Sequence, residues 1–442
     1  VVVWEEAKNS LPFGNIFTSK NIPPTDESAS LESCVHGIHY QSHEVTSSLE
    51  MSVLPDHSFK VAKLFPRAYQ DSLPGLLMEP EMIQGIQDKD LIGNLALTSP
   101  VFRYLRYNSK TSSHTYTIDL TSYEKFPVKD GLATLGGYVT LHYNAEKATL
   151  ETDSIKYGGR IYKPISEEWQ HKQKIVLATI STDIMIRQLL YNQLLVAGTF
   201  SAITNHYLDS THPIRVLLHS YQAKTLYFNN KVLPKLLKNE NSALYNTLSY
   251  ERGSFIRLLQ EKSLNFFINF MDPQEELREK GMVEAFEAPN SLPCPSYLKR
   301  KLQVWDLIGN HVKEYLELYY PTSAHLGCDN QLGNWYRILG QCMPNGISYY
   351  AYDLSKANLQ ALLTLFIYTT AVERQDLLYN FQLSKGVWQN LIPIQVSASP
   401  YSRPTIEILH HYFKLLSQIS PAYPTLGDDF SAIALDRAAQ NK

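Results

Sequence analysis

The sequence predicts a mainly α-helical protein with long central helices and one small β-sheet. Three observations lead there. Apolar stretches with helical periodicity dominate after Pro164, period-two alternation is confined to roughly residues 115–152, and the glycines and cysteines form no repeat or framework. At 442 residues the chain is long enough for one large domain or two ordinary ones, with a sizeable core in either case.

Residues 1–60 are polar and irregular, with Pro23-Pro24 and a serine-rich stretch from Ser28 to Ser33. They predict a leader that wraps a larger body, and no lipid-docking β-sandwich. Residues 61–442 predict the body itself. Tyr116 to Leu120 and Tyr138 to Tyr143 alternate in period two, and Asn144 to Lys147 precedes a third β-prone run, Ala148 to Thr152. This is the pattern of a small sheet with a hairpin. Ile175 to Ala202 is apolar apart from the charges of Asp183 and Arg187, which predicts a buried central helix. Ile214 to Leu237 is helical in pattern but interrupted by Pro234. Leu302 to Tyr320 is amphipathic and stops at Pro321. Ser355 to Phe381 predicts a second long helix, opened by Asp353 and Ser355, and Ile406 to Ile419 closes the pattern before Pro421.

Composition narrows function. A net charge of −3 with 44% hydrophobic residues gives no nucleic-acid footprint, and no apolar run reaches the ~18 residues of a spanning helix. Cys34, Cys294, Cys328 and Cys342 are too scattered for a disulfide framework, so a reducing interior is the simpler expectation. The chain opens on Val1 rather than Met, which leaves cytoplasmic and exported locations both open. Gly-x-Ser-x-Gly, phosphate-cradling and His-Glu-x-x-His motifs are missing. Cys34, His36, His39, His43 and Glu44 resemble a metal cluster. Their flanks are not helical and no second paired element accompanies them, so no metal site is read there. His206, His212 and His219 do not share one helix face at ligand spacing, and His410 and His411 point about 100° apart on a helix. Cys328 beside Asp329 and His325 has the look of a thiol nucleophile, but is placed in a loop after Tyr320.

Several motifs, in order, resemble the catalytic domain of the lipoxygenases. His212-Pro-Ile with Thr225 and Asn229 resembles that family's His-Pro segment, and Leu277 to Met282 its Gly-Met element. Trp305-Asp306 with Val312 to Tyr320 resembles its Trp-containing helix ending in a Tyr pair. Ala361 to Thr370 resembles the start of its second metal helix, and Leu426-Gly-Asp428 a turn near its C-terminus. The resemblance implies a fold in which helices at about 175–205 and 355–381 cross at a metal site. In such enzymes ferric hydroxide abstracts a hydrogen from a polyunsaturated fatty acid and dioxygen adds to the radical. Imidazoles, one further side chain and the terminal carboxylate hold the iron.

At those positions the chain departs from the family. The first two imidazole positions fall on Gln188 and Gln193, or on Leu189 and Leu194 without a one-residue insertion before His212. The third falls on Arg374, and the fourth side-chain position on Leu378, or on Asn380 if the helix carries an irregularity. The sequence ends at Lys442 without the family's isoleucine-ended tail. Gln188 and Gln193 are expected to be core amides hydrogen-bonded to neighbouring backbone, the alternative being a polar floor under a ligand. Arg374 needs a carboxylate partner or a route to water, with Asp183, Glu373, Asp376 and Glu407 as candidate partners. Its sharper alternative is to receive an anionic head group or carboxylate. The resulting expectation is a pseudoenzyme without iron or other cofactor, acting by binding a fatty-acid or lipid-like ligand or a protein partner. Against it stand a dioxygenase with an atypical metal site, another chemistry built in the inherited cavity, and an unrelated helical interaction protein. Aromatic fill by Tyr368, Tyr379 and Phe381 would favour a purely structural body.

Overall fold

A computed structural model describes residues 90–108, 115–222, 225–288, 291–343, 345–347, 353–373, 395–400 and 415. The leader, the Cys34–Glu44 cluster, Arg374, Leu378, Asn380, His410, His411 and the Leu426-Gly-Asp428 turn lie outside these residues.

Five antiparallel strands pair in sequence order: β1 (Arg106–Asn108), β2 (Thr115–Asp119), β3 (Tyr138–Asn144), β4 (Thr149–Tyr157) and β5 (Arg160–Tyr162). The alternation read from the sequence is real. Tyr116 and Ile118, Val139 and Leu141, and Leu150 and Ile155 are buried on one face. The sheet is wider than the expected 115–152, because β1 and β5 are three-residue edge strands too short and too exposed to alternate.

Helix α1 (Leu91–Thr98) packs on β4 and is fixed at its N-terminus from two directions. Asp90 accepts from Gly93 N at 2.9 Å and Thr152 Oγ1 at 2.7 Å, while Gln173 Oε1 accepts from Leu91 N at 2.8 Å. The close approach requires glycine at 93, since a Cβ there would lie 1.9 Å from the Leu150 carbonyl oxygen.

The centre of the body is an unbroken run of helix from Trp169 to Tyr207. Helix α2 (Trp169–Ile186) passes into a π-helical segment (Arg187–Gly198) and then into α3 (Thr199–Tyr207). Nearly every side chain along this run is buried, so it is longer and more enclosed than the expected 175–202. Around it lie α4 (Pro213–Gln222), α5 (Arg252–Leu264), α6 (Pro273–Glu279), α7 (Met282–Glu287), α8 (Ser296–Tyr319), α9 (Ser323–Cys328), α10 (Asn330–Cys342) and α11 (Lys356–Tyr368). Gly281, at φ +67°, provides the left-handed residue between α6 and α7. Helix α8 is the amphipathic stretch before Pro321, and α11 is opened by the Ser355 side chain, which accepts from Asn358 N at 3.1 Å. The second of the two long helices also has a π-helical segment, Thr369–Glu373, which continues α11 and packs against the first, and a further short one, Phe228–Val232, follows α4. The two long helices therefore meet through their π-helical parts. Among the described residues no helix is long and apolar enough to cross a membrane.

Gly93→Ala should cost about 2 kcal/mol or more, because helix α1 must move off the sheet to admit the methyl group. Urea unfolding would measure it, and an unchanged midpoint would refute the packing argument.

Candidate functional site: the crossing of two π-helical segments

A π-helix closes hydrogen bonds between residues five apart, so side chains at that spacing come nearer to one face than an α-helix allows. Gln188 and Gln193 are five apart in the first segment, and both are buried. Gln188 Nε2 donates to the Glu373 carbonyl oxygen at 2.6 Å, tying the two segments together. Its Oε1 accepts from Asn192 Nδ2 at 3.0 Å. Gln193 Nε2 donates to Asn229 Oδ1 at 3.1 Å and the Thr225 carbonyl oxygen at 3.3 Å, and Asn229 Nδ2 returns a bond to Gln193 O at 3.2 Å. The expected role of core amides bonded to backbone is therefore the geometry found. Asn192 went unremarked in the sequence, because nothing but three-dimensional position separates it from any other helical amide.

Beside this amide group runs a chain of buried ions. Glu373 is 1% exposed. Its carboxylate meets Arg103 Nη2 at 2.6 Å and Lys301 Nζ at 3.3 Å. Arg103 Nε meets Glu276 Oε2 at 3.0 Å, and Glu276 Oε1 meets Lys280 Nζ at 2.7 Å. Burial opposes ionisation of both acids. The cations outweigh it, bringing Glu276 down to about 2 and holding Glu373 well below the usual carboxylate range. Burial also lowers the Lys280 ammonium, to about 8, although Glu276 pulls the other way.

Asp183, one turn before the first π-segment, accepts from Tyr104 Oη at 2.7 Å, from Tyr123 Oη, and from Lys262 Nζ at 3.1 Å. Burial resists its charge, but Lys262, Arg187 and the two phenols hold it below the normal range. Two of the acids proposed for Arg374, Asp183 and Glu373, thus serve other cations. Asp376 and Glu407 lie outside the described residues.

His212 is not available for chemistry. Its Nε2 faces Asp329 Oδ2 at 3.0 Å, its Nδ1 accepts from Ile214 N at 3.2 Å, and Tyr320 Oη donates to the same Asp329 oxygen at 2.7 Å. These bonds fix the His-Pro turn to the end of α8. Cys328 ends the short helix α9 instead of lying in a loop, and Asp329 is committed to His212, Tyr320 and the Leu332 amide. That leaves the supposed thiol constellation without its acid. Thr322 to Asp329 holds no apolar period long enough to reveal a six-residue helix in the sequence.

As a donor set for iron, the described residues at the crossing fit poorly. Iron sites draw on imidazole, thiolate or carboxylate, whereas the side chains offered here are hydrogen-bonded neutral amides and one carboxylate, Glu373, that is already paired with Arg103 and Lys301. No group of three or more His, Cys, Asp or Glu placed to hold a metal occurs among the described residues.

The ion chain makes stability depend on acid pH. A carboxyl with a depressed folded pKa is protonated sooner in the unfolded chain. Its contribution is therefore full above about 4.5 and fades as the pH falls towards about 2. For Glu276 that contribution is about 3 kcal/mol. Glu276→Gln should lose about this much at pH 7 and show a flatter decline between pH 5 and 3. Denaturant unfolding at pH 7, 5 and 3 checks this, and parallel acid limbs in variant and parent would refute it.

No family model matches the chain. Seed linoleate 9S-lipoxygenase-3 of Pisum sativum is 24% identical over 313 residues, which cover 66% of this chain and 33% of that protein. Polyunsaturated fatty acid lipoxygenase ALOX15 of Mus musculus is 25% identical over 158 residues, covering 35% and 23%. The chain thus aligns with about a third or less of the length of these relatives. Among solved structures, coral 8R-lipoxygenase matches with a TM-score of 0.74 at 14% identity, covering 99% of this chain and 75% of its own. The manganese lipoxygenase of Gaeumannomyces graminis matches with a TM-score of 0.71 at 13% identity, covering 92% and 78%. The chain is therefore similar in sequence to a lipoxygenase over two thirds of its length, and has the fold of solved lipoxygenases over nearly all of it.

Proposed function

We propose that this chain is a lipoxygenase-fold pseudoenzyme that holds no catalytic iron and works by binding a lipid-like ligand or a protein partner. The observation that carries the reading is the commitment of Gln188 and Gln193. Where the family resemblance expects metal-binding imidazoles, both amides donate inward, to Glu373 O and to Thr225 O with Asn229 Oδ1. A neutral amide ligates through its oxygen, a weak donor for iron, and the Gln188 oxygen is already taken by Asn192 Nδ2. Arg374, Leu378 and Asn380 are the further positions at which the proposal places lost ligands. The named relatives act on linoleate and other polyunsaturated fatty acids, so an apolar carboxylic acid is the ligand class to try first.

An enzyme with an atypical metal site is the second reading. It is favoured by Asn192 Oδ1, which is buried without a hydrogen-bond partner among the described residues.

Metal content separates the two. After incubation with ferrous iron and removal of the excess, mass spectrometry should find far less than one iron per chain. Oxygen uptake on linoleate should stay at the background rate. One iron per chain, lost in Gln188→Ala or Asn380→Ala, would overturn the proposal and restore oxygen chemistry.

A further inference from the structure

Two isoleucines stand out of the last hairpin of the sheet. Ile161 in β5 is 66% exposed, and Ile165, three residues past that strand, is 94% exposed. A single exposed isoleucine needs no explanation, but two fixed outward on one small unit form a patch. Strands β4 and β5 are joined by Gly158-Gly159, whose φ values of +55° and +77° suit a tight two-residue hairpin turn. Ile161 stands opposite Lys156 in the register, so these two side chains share the outer face of the sheet. Ile165 belongs to a turn closed twice: Ser166 N donates to the Lys163 carbonyl oxygen at 2.8 Å, and Lys163 N donates to Ser166 Oγ at 3.0 Å.

The base of the hairpin is anchored to the body. Lys172 Nζ of α2 lies against the rings of Tyr157 and Tyr162, 5.1 and 4.9 Å from their centroids, and meets Glu168 Oε2 at 2.7 Å. Tyr157 Oη donates to the Thr134 carbonyl oxygen at 2.8 Å. The isoleucines are thus presented by a supported platform and not by a loose end.

Charge says what such a platform meets. From Ser154 to Ser166 the chain carries Lys156, Arg160 and Lys163, all exposed, and no acid. Of the acids that flank this stretch, Asp153 faces His142 Nδ1 at 2.7 Å and Glu168 serves Lys172, while Glu167 follows the turn. Apolar side chains projecting among cations match the surface of an anionic bilayer, where the apolar groups enter the headgroup layer and the cations reach lipid phosphates. The other close pair of exposed apolar residues, Leu264 and Phe267, lacks this setting: Lys262 beside it serves Asp183, and Glu261 is the adjoining acid.

We infer that the β4–β5 hairpin and the turn after it dock this chain on an anionic lipid surface, with Ile161 and Ile165 in the headgroup layer and Lys156, Arg160 and Lys163 on lipid phosphates. The inference is independent of the reading above and holds with or without iron or a bound ligand.

Sedimentation of the full chain with sucrose-loaded vesicles tests it, comparing phosphatidylcholine alone with phosphatidylcholine containing about a third phosphatidylserine. The chain should bind the anionic vesicles about tenfold or more strongly than the neutral ones, and less strongly as salt is raised. Ile161→Thr with Ile165→Ser, both at exposed positions, should weaken that binding about tenfold. Lys156→Glu with Lys163→Glu should abolish the preference for anionic vesicles, and Leu264→Ser with Phe267→Ser should change nothing. Binding to neither vesicle, equal binding to both, or a loss that follows Leu264 and Phe267 instead of the isoleucines would each overturn the inference. So would a dimer in lipid-free buffer, seen by analytical ultracentrifugation, that the isoleucine variant loses, since a second copy would then cover the patch.

Discussion

A buried carboxylate, Glu373, held between Arg103 and Lys301, is the interaction on which the centre of this protein depends. Its partners lie far apart in the chain, one in the short helix before the sheet and the other in α8. Taking these ions out of water costs several kcal/mol each, and their attraction offsets it only while the geometry is kept. The same residue's backbone oxygen accepts from Gln188. One residue thus joins the second π-segment to the first through its main chain, and to the surrounding elements through its side chain. Loss of one ionic partner strands the others, which makes this a cooperative knot and not a set of separable contacts.

The π-helical winding makes sense in the same terms. A long π-segment is uncommon, because the wider turn packs its own backbone less well than an α-helix does. Here it carries three buried amides, Gln188, Asn192 and Gln193, whose hydrogen bonds fail if the face rotates. Satisfying buried polar groups is worth more than regular winding, since each one left bare costs about 1–3 kcal/mol. The shape that in relatives belongs to an enzyme is thus compatible here with a core sustained by amide pairing. A fold preserves geometry more readily than it preserves chemistry.

Much of this was legible in the residues. The apolar run containing only Asp183 and Arg187, the amphipathic Leu302 to Tyr320 stretch and the alternation at Tyr116 to Leu120 each name their element, because burial imposes a period. The assignment of Gln188 and Gln193, against Leu189 and Leu194, rests on the order of motifs around His212. Other features had no sequence signal. A helix apolar on all sides looks the same whether wound at α or π spacing. Three-residue edge strands such as β1 and β5 cannot show alternation. Pairings such as Arg103 with Glu373 are set by the path of the whole chain. Glu373, one of the acids expected to serve Arg374, meets cations brought from elsewhere in the chain, and Arg374 itself lies outside the described residues.

The ion chain and the crossing are physically continuous. Tyr368 stands immediately before the second π-segment, and Arg103 and Lys301 reach Glu373 from separate elements. The same guanidinium of Arg103 serves both Glu276 and Glu373, so any change that draws it towards one acid weakens its hold on the other. A buried carboxylate that loses part of its compensation becomes costly to keep ionised. The charge that the centre of this protein tolerates is therefore set by the stability of the core, and a substitution at either acid acts on the crossing through the cation that the two share.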